Sequence, residues 1–269
     1  MAKEQDMIPV QSIAVDSLVP EPNQFIAEVA SLLVAVTSVI AVLRYCGKNQ
    51  IWWPLWIIAS GTLVFLHEPL YDHLMGLWFL VEGQRNAVTT YGIHVPIWLP
   101  IIYVAYYGCT PIWYWNKFQQ GMSMSTVFVY FTISVVLAGL AELFYINLVG
   151  LYNYQDHQPL MVWNYPVFVA IVNGVPPFLA AIILHRLVPI LKGWEHILLL
   201  GVLPFAFASN TFGTGILYLA ARHLSETPPM WVLSLLALQF AAGTYATIWI
   251  AARLAGIDRT GEARNPQAA

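Results

Sequence analysis

Apolar residues in this chain run in long uninterrupted stretches, with the polar residues gathered between them. Seven stretches stand out, at about 24–45, 51–70, 95–115, 123–146, 166–185, 197–221 and 230–252. A helix needs about 20 apolar residues to cross a hydrocarbon layer roughly 30 Å thick. The lipid core offers the backbone no water, so only helices and closed barrels cross it. These runs are too long and continuous for barrel strands. The pattern predicts an all-α integral membrane protein, a bundle of seven transmembrane helices over 24–253. An extracytoplasmic segment, 1–23, precedes it and a polar tail, 254–269, follows. Residues 1–23 carry neither a basic n-region nor a cleavage pattern, so the first run is expected to be a retained helix.

Composition agrees. Apolar residues make up 59% of the chain and charged residues 9%, against about 25% charged in soluble domains. Basic residues set the expected orientation. Lys3, Arg85 and Arg222 fall on one side of a seven-helix bundle. Arg44, Lys48, Lys117, Arg186, Lys192, Arg253, Arg259 and Arg264 fall on the other. Eight against three puts the N-terminus outside and the C-terminus in the cytoplasm, a multi-pass arrangement in the cell membrane if the source is bacterial. The net charge of −3 comes with no basic stripe, so no nucleic-acid partner is expected. Cys46 and Cys109 show no CxxC pairing and read as reduced, structural thiols.

Local detail sharpens the picture. Trp52, Trp53 and Trp56 suit an interfacial aromatic belt. The apolar patch Leu74–Val81 interrupts the outer loop Tyr71–His94 and is expected to lie over the bundle as a short helix or re-entrant piece. Pro176 and Pro177 should remove backbone hydrogen bonds from the fifth helix and kink it. Ser209, Asn210, Thr211, Gly213 and Gly215 give the sixth a seam suited to close packing.

Acids retained in such a chain call for a reason, because an unpaired charge in lipid is costly. Glu68 and Asp72 lie four apart at the outer end of the second helix, inside His67-Glu68-Pro69-Leu70-Tyr71-Asp72-His73, and share a face if the helix continues. They read equally as a polar helix cap. Glu142 lies inside the fourth helix, with Tyr145 and Asn147 on neighbouring turns. Burial disfavours a charged carboxyl, so an unpaired Glu142 is expected to be a neutral proton donor. The structural alternative is a hydrogen bond to Asn173 or Asn210, which read as either helix glue or substrate ligands. Tyr71, Trp78, Tyr91, Tyr103, Tyr106, Tyr145 and Trp163 are candidate walls for a cation, since aromatic faces attract cations; aromatic-rich membrane proteins also simply pack this way. A metal site needs three or four convergent ligands. His67, His73, Asp156 and His157, with Glu68 and Asp72, are the available set, but there is no HExxH pattern. No phosphate loop, magnesium-diphosphate motif or Schiff-base lysine in the last helix is present. No cofactor is expected.

Two resemblances enter here. Glu142, Gly150, Tyr152, Tyr154 and Pro166 form a Glu-x7-Gly-x-Tyr-x-Tyr run before a proline-opened helix. This resembles the membrane hydratases of carotenoid biosynthesis, although Tyr165 stands where a small residue is expected. The Trp-rich second helix ending in Glu68-Pro69-Leu70-Tyr71 resembles that of the small seven-helix terpene cyclases that make meroterpenoids. Those use a further acid on the last helix. Here the last helix has none, and the role falls to Glu142. Both resemblances imply a buried acid that protonates an isoprenoid alkene or epoxide, with the cation quenched by ring closure or water. The expected function is therefore a membrane enzyme on an isoprenoid or related lipid. Its acids are Glu142, Glu68 and Asp72, and its substrate contacts are Tyr71, Trp78, Tyr103, Tyr106, Tyr145, Asn147, Trp163, Asn173 and Asn210. A metal-dependent lipid hydrolase or oxidase, and a proton-coupled lipid transporter, are the rivals.

Overall fold

The computed structural model describes residues 18–155 and 158–257. The segment 1–17, Asp156, His157 and the residues after 257 lie outside this range, so most of the expected N-terminal segment and polar tail does too. The fold is mostly helical. Among the described residues, five helices are long and apolar enough to cross a membrane: Glu21–Asn49, Met124–Val149, Phe168–Leu187, Gly193–Thr214 and Met230–Leu254. The remaining two apolar stretches are also helical but fall short of that standard. The second gives α2, Pro54–Leu63, with a 3₁₀ turn Val64–Leu66. The third gives α4, Trp98–Tyr103, a π-helical segment Val104–Cys109, and α5, Thr110–Gln119. The long helices are α1 (Glu21–Asn49), α6 (Met124–Leu143, prolonged by a π segment Phe144–Val149), α7 (Phe168–Leu187), α8 (Val202–Thr214, entered through a 3₁₀ segment Gly193–Gly201) and α10 (Met230–Leu254). Short helices α3, Glu68–Met75, and α9, Ile216–Arg222, complete the set.

Polarity is arranged inside out. Ser31, Ser60, Ser134, Asn210, Thr211 and Thr244 are buried, while Leu33, Val136, Leu140, Leu238 and Ile250 are exposed. That arrangement suits a lipid surround, where apolar atoms lose nothing by facing outward and polar groups must find partners within the protein. Helix α7 is the hub and packs on α5, α6, α8 and α10. In its apolar window 78% of residues are buried, against 22% in α1 and α6.

Two prolines organise that hub. Pro176 and Pro177 sit inside α7, which nonetheless runs unbroken from Phe168 to Leu187. Proline has no N–H to give to the carbonyl four residues earlier, so the Val172 and Asn173 carbonyls lose their helical donors. Side chains from neighbouring helices take their place. Asn210 Nδ2 donates to the Val172 carbonyl at 3.4 Å, and the Tyr106 hydroxyl to the Asn173 carbonyl at 3.0 Å.

Elsewhere α2 crosses the π segment of the third stretch at backbone contact. A Cβ added to Gly61 would collide with the Gly108 nitrogen. The break between α2 and α3 has a similar local cause. Pro69 cannot donate to the Phe65 carbonyl, so the chain tightens into the 3₁₀ turn and restarts with Pro69 in the first turn of α3, where no N–H is required.

The apolar patch after α3 is a strand rather than a continuing helix. Gly76 ends α3 in the left-handed region, φ 70°, and β1 (Leu77–Phe79) follows. Strands β2 (Asn86–Thr90) and β3 (Ile93–Pro96) form a hairpin; β4 (Tyr152–Tyr154), β5 (Met161–Val162) and β6 (Tyr165–Pro166) shape the second loop. β1 pairs antiparallel with β4, Phe79 opposite Tyr152 and Leu77 opposite Tyr154, so the two loops close over one end of the bundle as a unit. Gln158 fastens this cap. Its Nε2 donates to the Met75 carbonyl at 2.7 Å, and its Oε1 accepts from the Tyr218 hydroxyl of α9 at 2.8 Å.

Candidate active site

Under this cap three carboxyl groups from two different helices come together. Glu68 and Asp72 project from one face of α3, and both are buried, Asp72 completely. Glu142 comes from the last full turn of α6, just before the π segment. The charges of Asp72, Glu68 and Glu142 act on one another. Distortions of this kind inside α-helices often occur at functional sites, and both π segments border this one. Val104–Cys109 carries Tyr106 and Tyr107, and Phe144–Val149 follows Glu142 directly.

The two sides of the cluster differ in how their oxygens are served. Glu142 is fully engaged: Oε2 accepts from the Tyr152 hydroxyl at 2.6 Å and Oε1 from Asn173 Nδ2 at 2.8 Å. The α7 prolines thus have a second consequence, because the residue whose carbonyl binds Tyr106 also presents its side-chain amide to Glu142. Glu142, Tyr106 and Asn173 each retain accessible surface. On the other side, Glu68 Oε2, both Asp72 carboxyl oxygens and the hydroxyls of Tyr71 and Tyr165 are buried without a hydrogen-bond partner among the described residues. The Tyr103 phenol faces the Glu68 carboxyl. Tyr71 interacts with all three acids and Tyr165 with Glu142 and Tyr71, so these hydroxyls share the same interior. Buried polar atoms are nearly always satisfied in folded proteins, and these five oxygens, without a partner among the described residues, set this side apart from that of Glu142.

Three phenols of the second loop enter through strand geometry. Tyr152 and Tyr154 are two apart on β4 and point the same way, inward, while Asn153 between them is only partly buried. Burial holds the Tyr152, Tyr154 and Tyr165 phenols well above their ordinary pKa, with the Glu142 charge adding to the effect. They stay protonated, and Tyr152 donates to Glu142. Tyr154 and Tyr165 pack edge to face at 5.8 Å.

Of the expected substrate contacts, Tyr71, Tyr103, Tyr106 and Asn173 lie at this cluster. Tyr145 sits beside it and turns toward α1, stacked on Trp98 at 4.7 Å with its hydroxyl 3.1 Å from Ser31 Oγ. Asn147 is partly buried, its Nδ2 without a partner. Asn210 serves as packing glue: besides the Val172 carbonyl it engages Thr214 and Thr244. The structure does not bring Trp78, Tyr91 or Trp163 to the acids. Trp78 occupies the face of β1 opposite to Leu77 and Phe79 and packs edge-on to His73. Tyr91 and Trp163 are exposed on loops, Trp163 by 73%. Composition singles out large aromatics but cannot say which face of a strand or loop they occupy. Tyr107, Tyr154 and Tyr165 join the cluster without having been singled out as contacts; the alternation at Tyr152 and Tyr154 was the available signal.

The described members of the proposed metal set do not gather into a site. Among the described residues no three of His, Cys, Asp and Glu gather as a metal site. His73 stacks on His223 at 6.1 Å, and the His67 ring lies against Phe207. Asp156 and His157 lie outside the described residues.

Fold and site together define a helical chain with five candidate membrane spans and an acid–phenol cluster enclosed beneath a two-loop cap. Comparison with protein-family models, with curated proteins and with solved structures finds no match.

Proposed function

We propose that the chain is a multi-pass membrane enzyme, a bundle of seven spans with its N-terminus outside, that uses these carboxyl groups to protonate an isoprenoid or related lipid. The acceptor is an alkene or epoxide, and the cation formed is quenched by cyclisation or by water. The convergence of Glu68, Asp72 and Glu142 inside a wall of phenols supports this reading above all else. General acid–base chemistry needs a donor and an acceptor positioned on either side of the reacting atoms, and the two differently served sides of the cluster supply that asymmetry. The ring faces of Tyr71, Tyr103, Tyr106 and Tyr107 suit a passing cation. Glu142, already holding two donors, is the natural acceptor of the proton released at the end. Glu68 and Asp72 are the natural donors.

The lipid that co-purifies with the protein, identified by mass spectrometry, names the substrate class. Membranes containing the native chain should convert an isoprenoid into an isomer of equal mass or into its hydrate. Glu142→Gln should lower that conversion by about 10²–10⁴-fold and leave the helical circular-dichroism signal unchanged. Retained conversion removes Glu142 from the chemistry. Stoichiometric zinc or iron in the native protein would favour the hydrolase or oxidase reading instead, and proton-coupled uptake in liposomes would favour a transporter.

A further inference from the structure

The unsatisfied side of the cluster specifies more than a greasy guest. We propose that the lipid carries a neutral hydroxyl group, and that this end is held between Glu68, Tyr71, Asp72 and Tyr165. The inference rests on the reading above that a lipid occupies the site. The four side chains are each more than nine-tenths buried, and five of their oxygens have no partner among the described residues.

A hydrocarbon in contact with these atoms would leave all of them unsatisfied. Each such group carries a desolvation penalty large enough to change affinity about fivefold or more. The Tyr71 and Tyr165 hydroxyls are donors in search of an acceptor. The Glu68 and Asp72 carboxyls, even when protonated for the chemistry above, keep carbonyl oxygens that are acceptors in search of a donor. A ketone, ether or epoxide oxygen answers only the first need. An alcohol answers both, because its oxygen accepts while its proton is donated. An anionic head such as a phosphate offers acceptor oxygens and would leave the carboxyl acceptors unserved.

Glu142 lies outside this requirement. Both its oxygens are engaged, so it needs no polar group from the ligand.

The test is binding, read apart from turnover. Affinities of farnesene, farnesyl methyl ether and farnesol, with geranylgeraniol as a longer alcohol, are measured on the native protein in nanodiscs by quenching of its tryptophan fluorescence. After correction for partition into the lipid, an alcohol should bind at least about tenfold more tightly than the hydrocarbon, with the ether between them. Asp72→Leu should close the gap between alcohol and ether. Tyr165→Phe should close the gap between ether and hydrocarbon, and, as the milder change, tests the proposal even if Asp72→Leu fails to fold. Equal affinity for the three farnesyl probes would mean that water alone serves these oxygens and would overturn the proposal. So would failure of both alcohols to bind. An alcohol preference combined with unchanged conversion by Glu142→Gln would retain this binding site and discard the proposed chemistry.

Discussion

The aromatic residues at the C-terminal half of α7 and those beneath the cap look alike in sequence and follow different rules. Around Phe178 the rings serve one another: Tyr114 at 4.5 Å, Phe118 at 5.5 Å and Phe131 at 5.8 Å. The one hydroxyl among them, Tyr114, reaches the Tyr130 carbonyl. Among these four rings no polar atom is left without a partner. Beneath the cap the rings are packed as closely, yet the Tyr71 and Tyr165 hydroxyls end unpaired beside acids. A high aromatic content therefore says little about where a membrane protein works. The informative mark is polar atoms that packing has enclosed and left unserved.

That comparison is most sharply broken by a pair of substitutions. Glu142→Gln should remove turnover, by the margin given above, at an unchanged melting temperature. Phe178→Ala should do the reverse: it empties the middle of the ring cluster and should destabilise the protein by about 3–5 kcal/mol, measured by thermal unfolding in detergent, with the remaining folded protein still active. If Phe178→Ala abolished turnover at full stability, the division into packing and working regions would fail. Tyr152→Phe is a milder probe. It deletes one donor to Glu142 and should slow conversion about tenfold, the scale of one hydrogen bond to a charged group, while retaining the ring. Trp163→Ala should change neither melting temperature nor conversion measurably, since its side chain stands 73% exposed on a loop. A large effect there would draw the loop into the site.

Much of the architecture could be read from hydropathy because the length of an apolar run is a local property of the chain. Five of the apolar stretches are helices of spanning length and character, and the other two are helical. Where the helices break was less legible. Pro69 and the prolines of α7 look alike in sequence, yet one coincides with a tightened turn and a restart, while the others are absorbed within a continuous helix. The difference lies in whether neighbouring side chains can serve the freed carbonyls, as Tyr106 and Asn210 do. The same contacts separate Asn210 from Asn173, which the sequence left equivalent: one fastens helices, the other holds a carboxylate. Likewise the patch Leu74–Val81 was expected to cover the bundle, and it became strand β1 because a partner strand lay seventy-odd positions away at Tyr152–Tyr154.

By itself the sequence determined which segments prefer lipid and that a handful of acids had been kept among them, since transfer of apolar surface and the cost of buried charge are local properties of each residue. Tertiary structure alone decided that Glu68, Asp72 and Glu142 meet and which of their oxygens are already bonded. Those facts depend on the facing of separate helices and on the closure of two distant loops, and no local pattern encodes a partner's absence.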